Sequence, residues 1–113
     1  MNASDTTGPF PTHHAQRLTI LFGARDHDHH GSLLVHLIKR ARRAKLAGAT
    51  AFEAYEGYGA SGQVHRTHSL SDDAPVTIII VDRPERIRAF LKDAADLLEN
   101  VLVTVVDVEV VEL

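Results

Sequence analysis

Residues 75–82 read PVTIIIVD, a run that places Val76, Ile78 and Ile80 on one face of a strand and Ile79 and Val81 on the other. A strand that is apolar on both faces must be covered on both. The C-terminal run VLVTVVDVEVVEL (residues 101–113) has the same property, being apolar on both faces from Val101 to Val106. An antiparallel sheet with one face in water would carry polar residues there. The two strands therefore call for helices on one side and a further layer on the other.

The rest of the chain supplies the helices. In RLTILF, Leu18, Ile20 and Phe22 alternate as a first strand over residues 17–22. Leu33, Leu34, Leu37, Ile38 and Ala41 recur at helical spacing, with Lys39, Arg40, Arg42, Arg43 and Lys45 crowding the C-terminal half, where cations suit the helix dipole. Gly48 is the expected stop. ATAFEAYEGY reads as a second strand. After PVTIIIVD, Asp82 is the expected N-cap of a second helix, with Pro84 in the first turn and Glu85 completing a capping box. Ile87, Phe90, Leu91, Ala94, Leu97 and Leu98 form its apolar face.

The order is β-α-β-β-α-β. This is an α+β, ferredoxin-like pattern in which two right-handed crossovers put both helices on one face of a four-stranded antiparallel sheet. Helices cover only that face, and the simplest cover for the other is a second copy of the chain. An oligomer is expected. Residues 1–15 are polar, with Gly8, Pro9 and Pro11, and read as a flexible tail before a single domain at 16–113.

Composition narrows the function. The 113 residues are 44% hydrophobic and 24% charged, a globular mix, and the net charge of −3 argues against a nucleic-acid partner. No cysteine is present, which removes disulfides and thiolate metal sites. The N-terminal stretch lacks the pattern of a signal peptide, and no apolar run approaches the ~20 residues of a membrane span. A cytoplasmic protein is expected.

Between the second and third strands lies GYGASGQVHRTHSLSDDAP, residues 57–75. Roughly 16 residues separate the strands where a hairpin usually needs 2–5. Gly57, Gly59 and Gly62 let the backbone approach a ligand, and Ser61, Gln63, His65 and Arg66 supply donors. Composition alone leaves open a ligand-binding loop or a solvated hairpin extension.

The histidines allow two further readings. DHDHH at 26–30 offers His27, His29 and His30 as ligands for a divalent metal, or forms a polar turn. Gly31 and Ser32 open the first helix, where backbone amides and the dipole favour an anion that a protonated His30 could also contact; ordinary capping by Ser32 explains the same residues. An enzyme would need a base held by an orienting group. His30 and His65 are the only titratable candidates on recognisable motifs, and spacing places no carboxylate beside either. The chain reads as non-catalytic.

The motifs HG (30–31), LAGAT (46–50), GYGASGQVH (57–65) and SDDAPVTIIIVDRPERI (71–87), in this order, resemble those of the PII-like proteins, specifically the family catalogued as domain of unknown function 190. The resemblance spans Leu18 to Val111. It implies a homotrimer with a role in signal transduction, in which 57–75 is the equivalent of the T-loop. It further implies a small anionic effector bound at subunit clefts, either an adenine nucleotide or a smaller or different ligand. The contributing residues would be His30, Gly31, Ser32, Gly57, Tyr58, Gly59, Ala60, Ser61, Gly62, Gln63, His65 and Arg66. The implied partner of the loop is a membrane transporter or channel, a fluoride channel among them. The chain departs from true PII proteins in two respects. Only Glu99 and Asn100 separate Leu98 from Val101, so the phosphate-holding B-loop is missing, and the loop has no tyrosine at its tip. A His-rich, divalent-metal-binding trimer is the alternative, and a small ferredoxin-fold enzyme stands behind it.

Overall fold

The structure is a computed structural model that describes residues 8–23, 27–28, 31–54, 56–58, 64–66 and 75–113. Its elements are β1 (Thr12–Gly23), β2 (His27–Asp28), β3 (Gly31–Ser32), α1 (Leu33–Arg43), β4 (Thr50–Glu53), β5 (Glu56–Tyr58), β6 (Val64–Arg66), β7 (Pro75–Asp82), α2 (Pro84–Asp93) and β8 (Leu102–Val111). The main sheet has the order β4-β7-β1-β8 with every neighbour antiparallel, as a ferredoxin-like βαββαβ chain requires. Two short antiparallel ribbons, β2–β3 and β5–β6, stand apart from it.

Register explains the core. Leu18 faces Ile80, Ile20 faces Ile78 and Phe22 faces Val76, so all six share one side of the sheet, and all are buried. Against them pack Leu33, Leu37 and Ala41 of α1, and Ile87 and Phe90 of α2, followed by Ala94 and Leu97. The intervening positions form the other side. Leu21 pairs with Thr77 and Leu102, Ile79 with Thr19 and Thr50, and Val106 with Arg17. Among the described residues no helix lies on this side: Leu102 is 60% exposed, Phe52 48% and Val106 45%. The two-sided apolarity read from the strands is real, and one side is uncovered in the single chain.

Several local expectations are corrected. Strand β1 begins at Thr12, so residues 12–15 belong to the sheet and not to a tail; β7 ends before reaching them, and they pair with Val108–Val111 alone. Polar side chains hold this extension: Gln16 Nε2 donates to Asp107 Oδ1 at 3.2 Å, His14 Nε2 lies 3.0 Å from the same oxygen, and His13 Nδ1 is 3.1 Å from Glu112. Residues 1–7 of the expected tail lie outside the described residues.

Helix α1 ends before Gly48. The amide of Lys45 donates to Arg42 O and that of Leu46 to Ala41 O, the two bonds of a Schellman motif, with Lys45 at φ 57 where glycine is usual. At its other end, Ser32 Oγ accepts the Val35 N–H at 3.5 Å, a long capping bond. The N-cap of α2 is Arg83, with no side-chain capping bond, and not Asp82. Asp82 is still part of β7 and buried; its Oδ1 accepts the Arg83 N–H at 2.7 Å and its Oδ2 the Ala47 N–H at 2.9 Å. The carboxylate therefore fastens the α1–β4 connection to the sheet.

Candidate functional site

Two candidate segments come from different parts of the sequence, and the sheet brings their roots together. β1 ends at Gly23 and β7 begins at Pro75, and these two residues are register partners. From Gly23 the chain runs through the β2–β3 ribbon into the first turn of α1. Into Pro75 runs the long connection that contains the β5–β6 ribbon. The Ala54 N–H donates to Pro75 O at 2.7 Å, which fixes the outgoing root of that connection beside the incoming one. The root of the β2–β3 ribbon, the N-terminus of α1 and both roots of the long connection thus share one end of the sheet.

The backbone of the glycine-rich segment is more regular than a loop. Glu56 pairs with Arg66, Gly57 with His65 and Tyr58 with Val64. The reason lies in the sheet. The last β4–β7 pair is Glu53 with Val76, and β7 begins at Pro75, so the chain beyond Ala54 has no further strand to join and pairs with itself. The reading of residues 49–58 as one strand is corrected on this ground. Gly59, Ala60, Ser61, Gly62 and Gln63, and residues 67–74, lie outside the described residues.

In the other segment, Asp28 pairs with Gly31 and His27 with Ser32. His29 and His30 lie outside the described residues, so the three-histidine metal alternative does too. Among the described residues, no group of three or more His, Asp or Glu side chains is placed to hold a metal ion. Of the candidate residues, the structure places Gly31, Ser32, Gly57, Tyr58, His65 and Arg66 in the two ribbons. Gly23 and Ala54, at the roots, were not singled out from the sequence; nothing but the end of an alternating run marks Gly23 there.

The end of α2, which leads into β8 at Leu102 opposite Leu21 and so lies at this same end of the sheet, has its own electrostatics. Arg40 Nη1 donates to the Asp93 carbonyl at 2.9 Å, and the guanidinium reaches Asp96 at 3.3 and 3.4 Å, which ties α1 to the end of α2. Hydrogen bonding to Asp96 raises the Arg40 pKa above its ordinary value. Between Leu98 and β8 only three residues intervene, too few for a phosphate-cradling loop at this connection.

This fold, with a long excursion between its second and third main strands, is that of the PII-like proteins. CPII, a nitrogen regulatory PII-like protein from Thiomonas intermedia K12, bound to ADP, AMP and bicarbonate, superposes with a TM-score of 0.71 at 20% identity, over 90% of this chain and 92% of that one. Its apo form gives 0.63 at 19% identity, over 92% and 99%. The chain belongs to the DUF190 family, described as "Uncharacterized ACR", whose pattern matches residues 15–110. The UPF0166 protein of Aquifex aeolicus (strain VF5) is 34% identical over 101 residues, which is 87% of this chain and 95% of that protein. No helix among the described residues is long and apolar enough to cross a membrane.

Proposed function

We propose that this chain is a PII-like regulatory protein that binds a small anionic ligand, ADP or AMP being the leading candidates, and reports its presence through the 57–75 segment. The observation that carries this reading is the Gly23–Pro75 pairing, which roots both candidate segments at one end of the sheet. His30 to Ser32 and Gly57 to Arg66 would supply backbone amides, hydroxyls and positive charge to the ligand. The ADP, AMP and bicarbonate bound by CPII support this ligand class.

The uncovered sheet face supports a homotrimer, with each cleft built from two copies. The loop would then present a surface to a partner protein, a membrane transporter or channel. A segment ordered differently by ligand can offer or withhold such a surface without any bond being made or broken, and the proposed role is regulatory, not catalytic. The short α2–β8 connection favours ligands with fewer phosphates than ATP, since little backbone is left there to hold a third.

Titration calorimetry with ADP and AMP, each with and without bicarbonate, tests the reading. Saturable binding of one nucleotide is expected, weakened at least about tenfold by Arg66→Ala, equivalent to about 1.4 kcal/mol. Absence of binding by both nucleotides under all four conditions contradicts it.

A further inference from the structure

Charge is unevenly placed on this chain. Nine of the twelve Lys and Arg residues lie within residues 33–45 and 83–99, against four of the fifteen carboxylates, so the helical layer carries +5 and the remainder −8. Within that layer, Arg42 and Arg43 end α1, Lys45 follows them, and Arg83 and Arg86 begin α2; all five are exposed. Arg86 Nη2 donates to Lys45 O, which draws the two helix ends together.

Three of these cations sit where local physics disfavours them. Lys45 is the one non-glycine residue at positive φ among the described residues, in a Schellman position that suits glycine. Arg83 occupies an N-cap, where Ser, Thr, Asp or Asn would satisfy an amide. Arg83 and Arg86 both face the positive end of the α2 dipole, and among the described residues only Arg86 of this pair has a carboxylate within 4 Å, Asp82 at 3.8 Å. Independent departures from local preference that converge on one spot mark a site kept for something other than folding.

The surroundings indicate the partner. None of the large apolar side chains exposed among the described residues lies in this cluster. A protein partner would ordinarily be anchored by a buried apolar or aromatic centre. A layer of anionic headgroups needs neither an anchor nor a fixed geometry, only closely spaced cations on long side chains. We propose that the cluster formed by Arg42, Arg43, Lys45, Arg83 and Arg86 is a docking surface for anionic lipid membranes. It lies at the end of the helical layer away from the Gly23–Pro75 end, so it is separate from the proposed ligand site.

Co-sedimentation of the full chain with vesicles tests this, comparing pure phosphatidylcholine with about two parts phosphatidylcholine to one part phosphatidylglycerol. The wild type is expected to pellet with the anionic vesicles only, and to be released near about 0.5 M salt, where screening is strong. Lys45→Gly with Arg83→Ser removes two charges while improving both local backbones; partitioning should fall about fivefold for each cation lost, with thermal stability maintained. Arg42→Gln with Arg43→Gln should lower it by a similar amount. Equal pelleting with neutral vesicles, or undiminished pelleting of both variants, overturns the proposal. So does salt-sensitive binding to duplex DNA, or to another copy of the chain, in place of the vesicles.

Discussion

Asp82 and Ala47 are joined across 35 residues of sequence by a hydrogen bond of 2.9 Å, carboxylate Oδ2 accepting the backbone N–H. The bond holds the connection leaving α1 against the last residue of β7, and the second carboxylate oxygen holds the amide that leads into α2. One buried side chain thus sets the entry to β4 and the start of the second helix. Asp82→Ala leaves the Ala47 amide without this acceptor and should cost about 1.5–3 kcal/mol, the range for a hydrogen bond to a charged group. Urea denaturation measures it, and a loss below about 0.5 kcal/mol would show the tether to be incidental.

Lys45→Gly should be neutral to stabilising by up to about 1 kcal/mol. Relief of a left-handed backbone gains about 1–2 kcal/mol and the freer unfolded glycine returns part of it. A lowered urea midpoint would contradict the strain assigned to this position.

Phe90 is 1% exposed and lies between α2 and the sheet. Phe90→Ala should destabilise by about 3–5 kcal/mol, enough to consume much of a small domain's stability. Thermal unfolding followed by circular dichroism reads the effect directly.

The carboxyl of Asp107 is held below the usual aspartate range, first by the hydrogen bond from Gln16 and then by that from His14. A depressed pKa means that the unfolded chain binds the proton more readily. The stabilisation is present above the unfolded aspartate value, near about 4, and is lost as pH falls through the folded one. Asp107→Asn should therefore flatten the stability profile below about pH 4 relative to the wild type. Unchanged acid profiles for the two proteins would remove Asp107 from the account.

Much of the fold is written in side-chain periodicity. Val76, Ile78 and Ile80 alternate without a break and lie on the helix side as expected, while Ile79 marks the uncovered side. What the periodicity could not show depends on backbone partners. Thr12 to Ala15 have no alternation of their own and join the sheet because β8 is long enough to pair with them. Gly48 looks like a helix stop, yet Lys45 takes the left-handed turn, and no pattern in residue type distinguishes a strained lysine from an ordinary one. The β5–β6 ribbon follows from where β7 begins, a fact of register. At the candidate site, glycines and donors were visible as a cluster, but the neighbouring roots Gly23 and Pro75 are 52 positions apart in the chain and meet only through strand pairing.

The uncovered face offers a test of assembly. Val106→Asp places a charge at a 45%-exposed position on that side without touching the core. Sedimentation should show a trimer for the wild type and a folded monomer for the variant, since an unpaired charge cannot be buried cheaply between copies. A wild type that sediments as a monomer contradicts the trimer.

The central claim is that the segments flanking Gly23 and Pro75 form one ligand site. Amide hydrogen exchange on the full chain, with and without saturating ADP, tests it most directly. The account predicts added protection in both residues 24–32 and 55–66, with little change at residues 42–47 and 83–86. Protection confined to one of the first two segments, or appearing at the Asp82 end of the sheet instead, would contradict it.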